Sequence, residues 1–336
     1  MSHCMSISGG RSICKASSCL YMHYHSNSAL PMTFLHARQL RFYTSAVLPF
    51  HMLVADLHIH GKYSRATSKE LTLPNLAKWG RVKGVSLLGT GDFTHPDWWD
   101  HIKDTLTEEN GILTTRDGYP FILQTEISLI YSQGGRGRRV HIVILAPSLQ
   151  VAEKITGFFK SKGRVDYDGR PIFKISCPEL VKAMRSIDTD IELIPAHIWT
   201  PWFSVFGSKS GFDSLKDAFQ DEIEHIHAIE TGLSSDPPMN WRLSQLDGLQ
   251  ILSFSDLHSF WPWRIGREAT LFNTPCEYQA ILKAIRTGEG LAGTVEVDPN
   301  YGKYHLDGHR NCNVCLHPAE SKASSGICPV CGRPLT

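Results

Sequence analysis

The chain of 336 residues is nearly without net charge, +1 at pH 7 with histidine neutral. No global basic field advertises a polyanionic partner, so any such surface must be local. It has no apolar run of membrane-spanning length, and a soluble protein with no membrane partner is expected. It has no Gly-x-Ser-x-Gly element and no phosphate-cradling glycine loop, so neither a serine nucleophile elbow nor a P-loop is expected. Its nine cysteines form no disulfide framework. Cys312, Cys315, Cys328 and Cys331 stand together near the C-terminus and the other five are scattered, which is cytosolic usage of thiols for metal.

Acid is missing from the first 54 residues; the first carboxylate is Asp56. This Ser-, Met- and His-rich stretch shows no helix or strand periodicity. Residues 1–51 are therefore expected to be disordered or an extension from a start placed too far upstream, with Met52 as the natural start. A transit peptide is the other reading of that composition.

What is present begins at Leu53. Apolar, β-branched runs recur at 53–60, 84–92, 121–131, 139–146, 191–197, 225–231 and 249–256, several of them separated by helical segments. Thr274-Pro275-Cys276-Glu277 and Ser176-Cys177-Pro178-Glu179 read as capping boxes with proline at the first helical position. Tyr131 to Val140 reads instead as a glycine-rich hairpin. Alternating strands and helices predict an α/β barrel-like domain over residues 52–305.

Histidine and carboxylate residues tip nearly every strand. The first ends in His58 and His60, the second in Asp92 and His95, and the fifth in His197. The third contains Glu126, the fourth begins with His141, and the last ends in Asp256 and His258. One such histidine is ordinarily structural; the recurrence points to a metal cluster. Mixed imidazole and carboxylate donors suit Zn, Mn or Fe better than Mg or Ca, and so many ligands imply two or three ions.

The series His58-x-His60, Asp92, Glu126, His141, His197, Asp256-x-His258 resembles the PHP (polymerase and histidinol phosphatase) family of metal-dependent phosphoesterases. The resemblance implies an α/β fold of a distorted seven-stranded β/α barrel. It implies that His58, His60, Glu126 and Asp256 hold one metal. Glu126 would bridge to a second, held by His141 and His197, and His258 would help a third position. Glu126, His197 and Asp256 would then be the catalytic residues. The family often has Thr-Asp-His after its second strand where this chain has Gly91-Asp92-Phe93, and His95 would replace the missing imidazole. Expected metals are two or three divalent ions in the barrel, Zn with Mn or Mg as further candidates.

The segments "HGKYSRATSKE", "GTGDFTHPDWW", "PAHIWTPWFSVFGSKSGFDSL" and "SDLHSFWPWRIGREA" are more narrowly similar to endonuclease Q, whose members cut DNA beside deaminated bases. The resemblance implies a DNA-repair endonuclease cleaving 5′ of uracil, hypoxanthine or an abasic site in a bacterial or archaeal cytoplasm. A small-molecule phosphoesterase of histidinol-phosphatase type is the alternative. The tail, residues 306–336, resembles the zinc finger that follows the barrel in that family, with one structural Zn on Cys312, Cys315, Cys328 and Cys331. The family continues past its finger into a helical region, so the chain is expected to stop short of it. Whether the finger contacts DNA or only folds the tail is open. Arg65, Arg264 and Arg267 flank the ligand motifs and are the phosphate-binding candidates. Trp199 and Trp202 follow His197 and could stack an extruded base or pack the barrel rim.

Overall fold

The computed structural model describes residues 21–24 and 52–336. Its centre is a sheet of eleven strands, joined by two smaller two-stranded sheets. The strands that carry site residues are β1 (Leu53–Asp56), β2 (Leu87–Gly89), β3 (Pro120–Gln133), β4 (Arg136–Ala146), β5 (Glu192–Pro195), β6 (Ala228–Glu230) and β7 (Gln250–Leu252). β1, β2 and β3 run parallel, in the register Ala55↔Leu87 and Leu88↔Phe121. β3 and β4 are antiparallel from Leu123↔Ala146 to Gln133↔Arg136 and are joined at Gly134-Gly135, both at positive φ. Paired positive φ values are what a tight hairpin needs, and glycine supplies them without steric cost. β4 pairs antiparallel with β5, and β6 pairs parallel with β7. Beyond β7 the chain returns to the extension of β1 through the parallel bridge Ile59↔Leu257. Two further strands, Ala269–Phe272 and Leu291–Glu296, extend the sheet beside β1.

Helices cover the outside. α1 (Leu73–Lys83) is capped by Thr72, and α4 (Cys177–Ile187) has the expected capping box of Ser176 and Glu179. Between them lie α2 (Pro96–Thr105) and α3 (Leu149–Lys162). α5 departs from expectation. It runs Tyr278–Thr287 with Glu277 as an N-cap that makes no side-chain bond, so Thr274 caps nothing; the helix does end at Gly288, in the left-handed conformation. The main core is apolar, with Trp98, Phe93, Phe121, Phe159 and Phe219 all buried. Trp98 also ties the second strand end in place, its indole N–H donating to the carbonyls of Thr90 and Gly91.

The expectation for residues 1–51 lies outside the described residues, apart from the strand Tyr21–Tyr24, which pairs antiparallel with Leu291–Glu296. The tail folds as a small hairpin, Asp307–His309 with Val314–Leu316, followed by the helix Pro318–Ala323. Among the described residues, no helix is long and apolar enough to cross a membrane.

Candidate metal centre

Three strand ends carry strained backbone, two in the central sheet and one in the two-stranded sheet of β6 and β7. Asp92, His197 and Asp256 have φ of 41°, 29° and 44° without being glycine. Such residues persist where surrounding structure over-determines them, and they cluster at functional sites. All three belong to the predicted strand-tip series.

Two groups of donor atoms converge there. His58 Nε2 lies 3.5 Å from Glu126 Oε1 and 3.7 Å from Asp256 Oδ1. His60 Nε2 lies 3.0 Å from Asp256 Oδ1 and 3.4 Å from Glu126 Oε2. In the second group, Glu126 Oε1 is 2.7 Å from His141 Nδ1 and 3.3 Å from His197 Nε2. Within each group the donors lie within 4.8 Å of one another, and Glu126 belongs to both. His58 Nε2 is buried without a hydrogen-bond partner. A buried polar atom left unpaired is costly, and a cation among these donors would satisfy it. The residues therefore fit a two-metal cradle bridged by one carboxylate.

Each ring is held from behind. His58 Nδ1 donates to Glu230 at 2.9 Å, and His60 Nδ1 donates to Asp92 at 3.0 Å. Ser128 Oγ sits 2.8 Å from His141 Nε2, and Thr200 Oγ1 3.2 Å from His197 Nδ1. These outer contacts fix which ring nitrogen faces the cluster. Burial alone would depress the imidazoles of His58 and His60, but the neighbouring carboxylates win and raise both well above the ordinary value. For His58 the carboxylates are Glu230 and Glu126. Burial would raise Glu126 and Asp256, but the surrounding cations and imidazoles hold both well below the usual carboxylate range. Burial lowers His141 to about 4, so that imidazole is neutral and ready to ligate.

Three expected ligands fall outside both groups. Asp92 is consumed by His60 Nδ1, by the Gly61 N–H at 2.6 Å and by Ser64 Oγ at 2.8 Å. His95 starts α2 and stacks on Tyr63 at 4.5 Å, turned to the aromatic core. His258 borders the site, its ring 4.7 Å from that of His60, but its Nδ1 donates to the Asp256 carbonyl. Two residues that sequence reasoning passed over belong to the site. Glu230 ends β6, the one expected strand with no polar tip in the sequence pattern, and that gap was its signal. Arg170 puts Nη1 3.1 Å from Glu126 Oε2 and comes from an irregular loop that carries no periodic signal.

The substrate-binding candidates divide. Arg65 is exposed and pairs with Asp168 at 3.2 Å. Arg264 is exposed, whereas Arg267 spends its guanidinium on the Ser255 carbonyl at 3.0 and 2.7 Å and so props the last strand end instead of facing outward. Trp202 is 41% exposed, with the Arg139 guanidinium of the hairpin 5.7 Å over its ring. Trp199 packs on Phe206 and donates to Asn240 at 2.8 Å, at the edge of a cavity of about 460 Å³ with Ser234, Ser235 and Met239.

In the tail, the grouped donors are His309, Cys312, Cys328 and Cys331. His309 thus stands where Cys315 was expected: its Nδ1 is 3.3 Å from Cys331 Sγ. Cys315 is exposed on the strand Val314–Leu316, opposite Gly308. Cys315 pairs with Gly308 and His309 with Val314, so alternation along the strands puts Cys315 and His309 on opposite faces of the hairpin. Burial would raise the Cys328 thiol, yet the backbone N–H groups of Cys331 and Val330 bring it down to about 7.

No protein-family model matches the chain. Among solved structures, it is similar to the lesion-specific endonuclease PfuEndoQ of Pyrococcus furiosus, with a TM-score of 0.73 and 32% identity over 85% of this chain and 69% of that one. The chain belongs to the endonuclease Q family. A second endonuclease Q structure, in complex with a 27-mer duplex carrying an abasic lesion at its active site, has a TM-score of 0.73 and 31% identity, covering 85% of this chain and 70% of that one. An uncharacterized protein of Methanocaldococcus jannaschii is 35% identical over 147 residues, which is 44% of this chain and 16% of that protein. The chain thus spans a small part of that relative and just over two thirds of the endonuclease Q structures. Family membership accounts for the α/β fold with its large central sheet and for a metal-binding centre of His, Glu and Asp.

Proposed function

We propose that the chain is a hydrolase that nicks DNA at abasic sites and deaminated bases, uracil and hypoxanthine, on the 5′ side of the lesion. The carrying observation is the pair of donor groups sharing Glu126, in a chain 32% identical to a lesion-specific endonuclease. An endonuclease Q bound to an abasic duplex at its active site supports DNA as the substrate.

The reading gives each residue a role. His58, His60, Glu126 and Asp256 hold one divalent ion; Glu126, His141 and His197 hold a second. Two ions are favoured over three because Asp92 is committed to His60. Imidazole-rich donors favour Zn or Mn over Mg. When bound, such ions supply charge neutralisation and activate water for in-line phosphodiester hydrolysis. The chain's own residues orient that chemistry: Glu230 and Asp92 hold the rings of His58 and His60, and Ser128 and Thr200 hold His141 and His197. The strands β1 to β7, with the Ile59–Leu257 bridge, are read as a distorted seven-stranded PHP-type barrel over residues 52–305. Residues 306–336 are read as a one-zinc finger using His309, Cys312, Cys328 and Cys331. Trp202 with Arg139 is the candidate wall for an extruded base, stacking on one side and phosphate contact on the other. A DNA substrate also fits the cytoplasmic location expected from cysteine usage.

The test is a nicking assay on end-labelled duplexes carrying an abasic site, uracil, hypoxanthine or no lesion. The expected result is one cut 5′ of each lesion, far faster than at normal bases. Hydrolysis of a phosphate monoester such as histidinol phosphate, with no cutting of any lesion duplex, would favour the small-molecule phosphoesterase instead.

A further inference from the structure

The segment following α3 lies directly against the donor cluster. Gly169 has no room for a side chain: a Cβ there would sit 2.4 Å from both Asp92 Oδ2 and Ser64 Oγ. The segment is pinned at several points. Asp168 Oδ1 accepts the N–H groups of Arg65 and Arg170 at 3.2 and 3.1 Å. The Gly169 N–H donates to the Tyr63 carbonyl, and the Ser128 N–H to the Pro171 carbonyl. The result of this fixing is that one cation, the guanidinium of Arg170, enters the cluster.

Arg170 spends little of what it brings. Its Nη1 bonds Glu126 Oε2 at 3.1 Å, while Nε and Nη2 take no partner among the described residues. Its side chain is 22% exposed, so the unspent donors lie at the opening of the site. Arg170 is not the sole partner of Glu126, since His58, His60, His141 and His197 also crowd its two oxygens. The place where a third cation would be expected has lost Asp92 to His60. A fixed guanidinium offers planar, paired donors suited to phosphate oxygens, and it costs no reorganisation when charge develops.

We infer that Arg170 is a phosphate clamp, its free N–H groups holding a nonbridging oxygen of the scissile phosphate and standing in for a third cation. This rests on the phosphodiester reading of the site, though not on which DNA lesion is cut. Arg65, by bonding Asp168, is a positioning residue for the clamp.

The test uses the full chain loaded with metal, as wild type, Arg170→Ala and Arg170→Lys. Metal per chain is counted by elemental analysis, inorganic phosphate binding is measured by calorimetry, and single-turnover cutting of an abasic duplex is timed. Arg170→Ala should keep the wild-type metal count, bind inorganic phosphate at least tenfold more weakly and cut about 100-fold more slowly. Arg170→Lys should fall between on both phosphate binding and cutting, because it keeps the charge and loses the paired donors. Unchanged phosphate affinity in Arg170→Ala overturns the clamp. So does a loss of affinity that tracks a lower metal count and returns with added metal, since Arg170 would then only support Glu126. If wild type binds phosphate through Arg170 but cuts no lesion duplex, the clamp stands and the endonuclease reading falls.

Discussion

The two donor clusters of this chain are built in opposite ways. The central one gathers side chains from His58 to Asp256, on strands held by a large apolar core, and His58, His60 and Glu126 are wholly buried. Its rings are set in advance by Glu230, Asp92, Ser128 and Thr200. The tail cluster gathers His309, Cys312, Cys328 and Cys331 from one short stretch in which only Ser321, Cys328 and Leu335 are buried. So little apolar burial cannot hold a fold by itself. The fold organises the first cluster, whereas we propose that metal organises the second. A metal-binding pattern can therefore report catalysis or mere folding, and the shell around the ligands tells them apart.

The largest effect should come from the central cluster and leave the fold intact. Asp256→Asn removes a ligand charge while keeping the shape. Cutting of an abasic duplex should fall at least 1,000-fold, with duplex affinity and thermal midpoint near wild type. Wild-type turnover in that variant would remove Asp256 from the metal set.

Next comes the converse in the tail. Cys328→Ser should release one zinc per chain and expose the amides from about residue 307 onward to hydrogen exchange, while those of β3 and β4 stay protected. Cys315→Ser should change neither, because Cys315 lies outside the donor group. Equal zinc loss in both variants would restore Cys315 as a ligand in place of His309.

A smaller effect probes the shell itself. Glu230→Gln keeps one acceptor for His58 but removes the charge. Affinity for the first metal should weaken about 10- to 100-fold without loss of fold, measured by chelator competition. Unaltered affinity would make Glu230 a packing residue only.

The smallest effect concerns a pair of buried carboxyl groups. Glu268 immediately precedes the strand Ala269–Phe272, Glu296 ends its partner strand Leu291–Glu296, and both side chains are fully or almost fully buried. Burial, and then their mutual repulsion for Glu268, raises both well above the carboxylate range. A raised acid keeps its proton in the folded state after the unfolded chain has lost it. Stability should therefore fall as pH rises from the ordinary carboxylate range toward neutrality and above, and not on acidification through that window. Glu296→Gln should flatten that fall by about 1–2 kcal/mol in urea titrations at pH 5 and pH 8. A parallel fall in the variant would assign the pH dependence elsewhere.

The seven strands β1 to β7 and the main donors were legible in sequence because alternation and strand-end position are local properties, whereas the remaining strands of the central sheet were not. His58, His60, Glu126, His141, His197 and Asp256 follow from that pattern and meet as a bridged pair of groups. What remained hidden depends on competition between groups in space. Asp92 looks like a ligand until the Gly61 N–H and Ser64 are seen to claim it. Arg267 looks like a phosphate binder until Ser255 claims its guanidinium. Cys315 matches the spacing of a four-cysteine site, but strand pairing puts it on the face opposite His309, which lies beside Cys331. Arg170 arrives from a loop without period, and Thr274 lost its capping role because α5 starts only at Tyr278.

The most direct test of the central claim is single-turnover cutting of an abasic-site duplex by metal-stripped chain, titrated with Zn or Mn, with the cut position mapped. The expected result is no cutting by the stripped chain, saturation at two equivalents beyond the one held by the tail, and a single break on the 5′ side of the lesion. Full cutting in excess chelator, or no cutting at any metal level while a small phosphate monoester is hydrolysed, would contradict it.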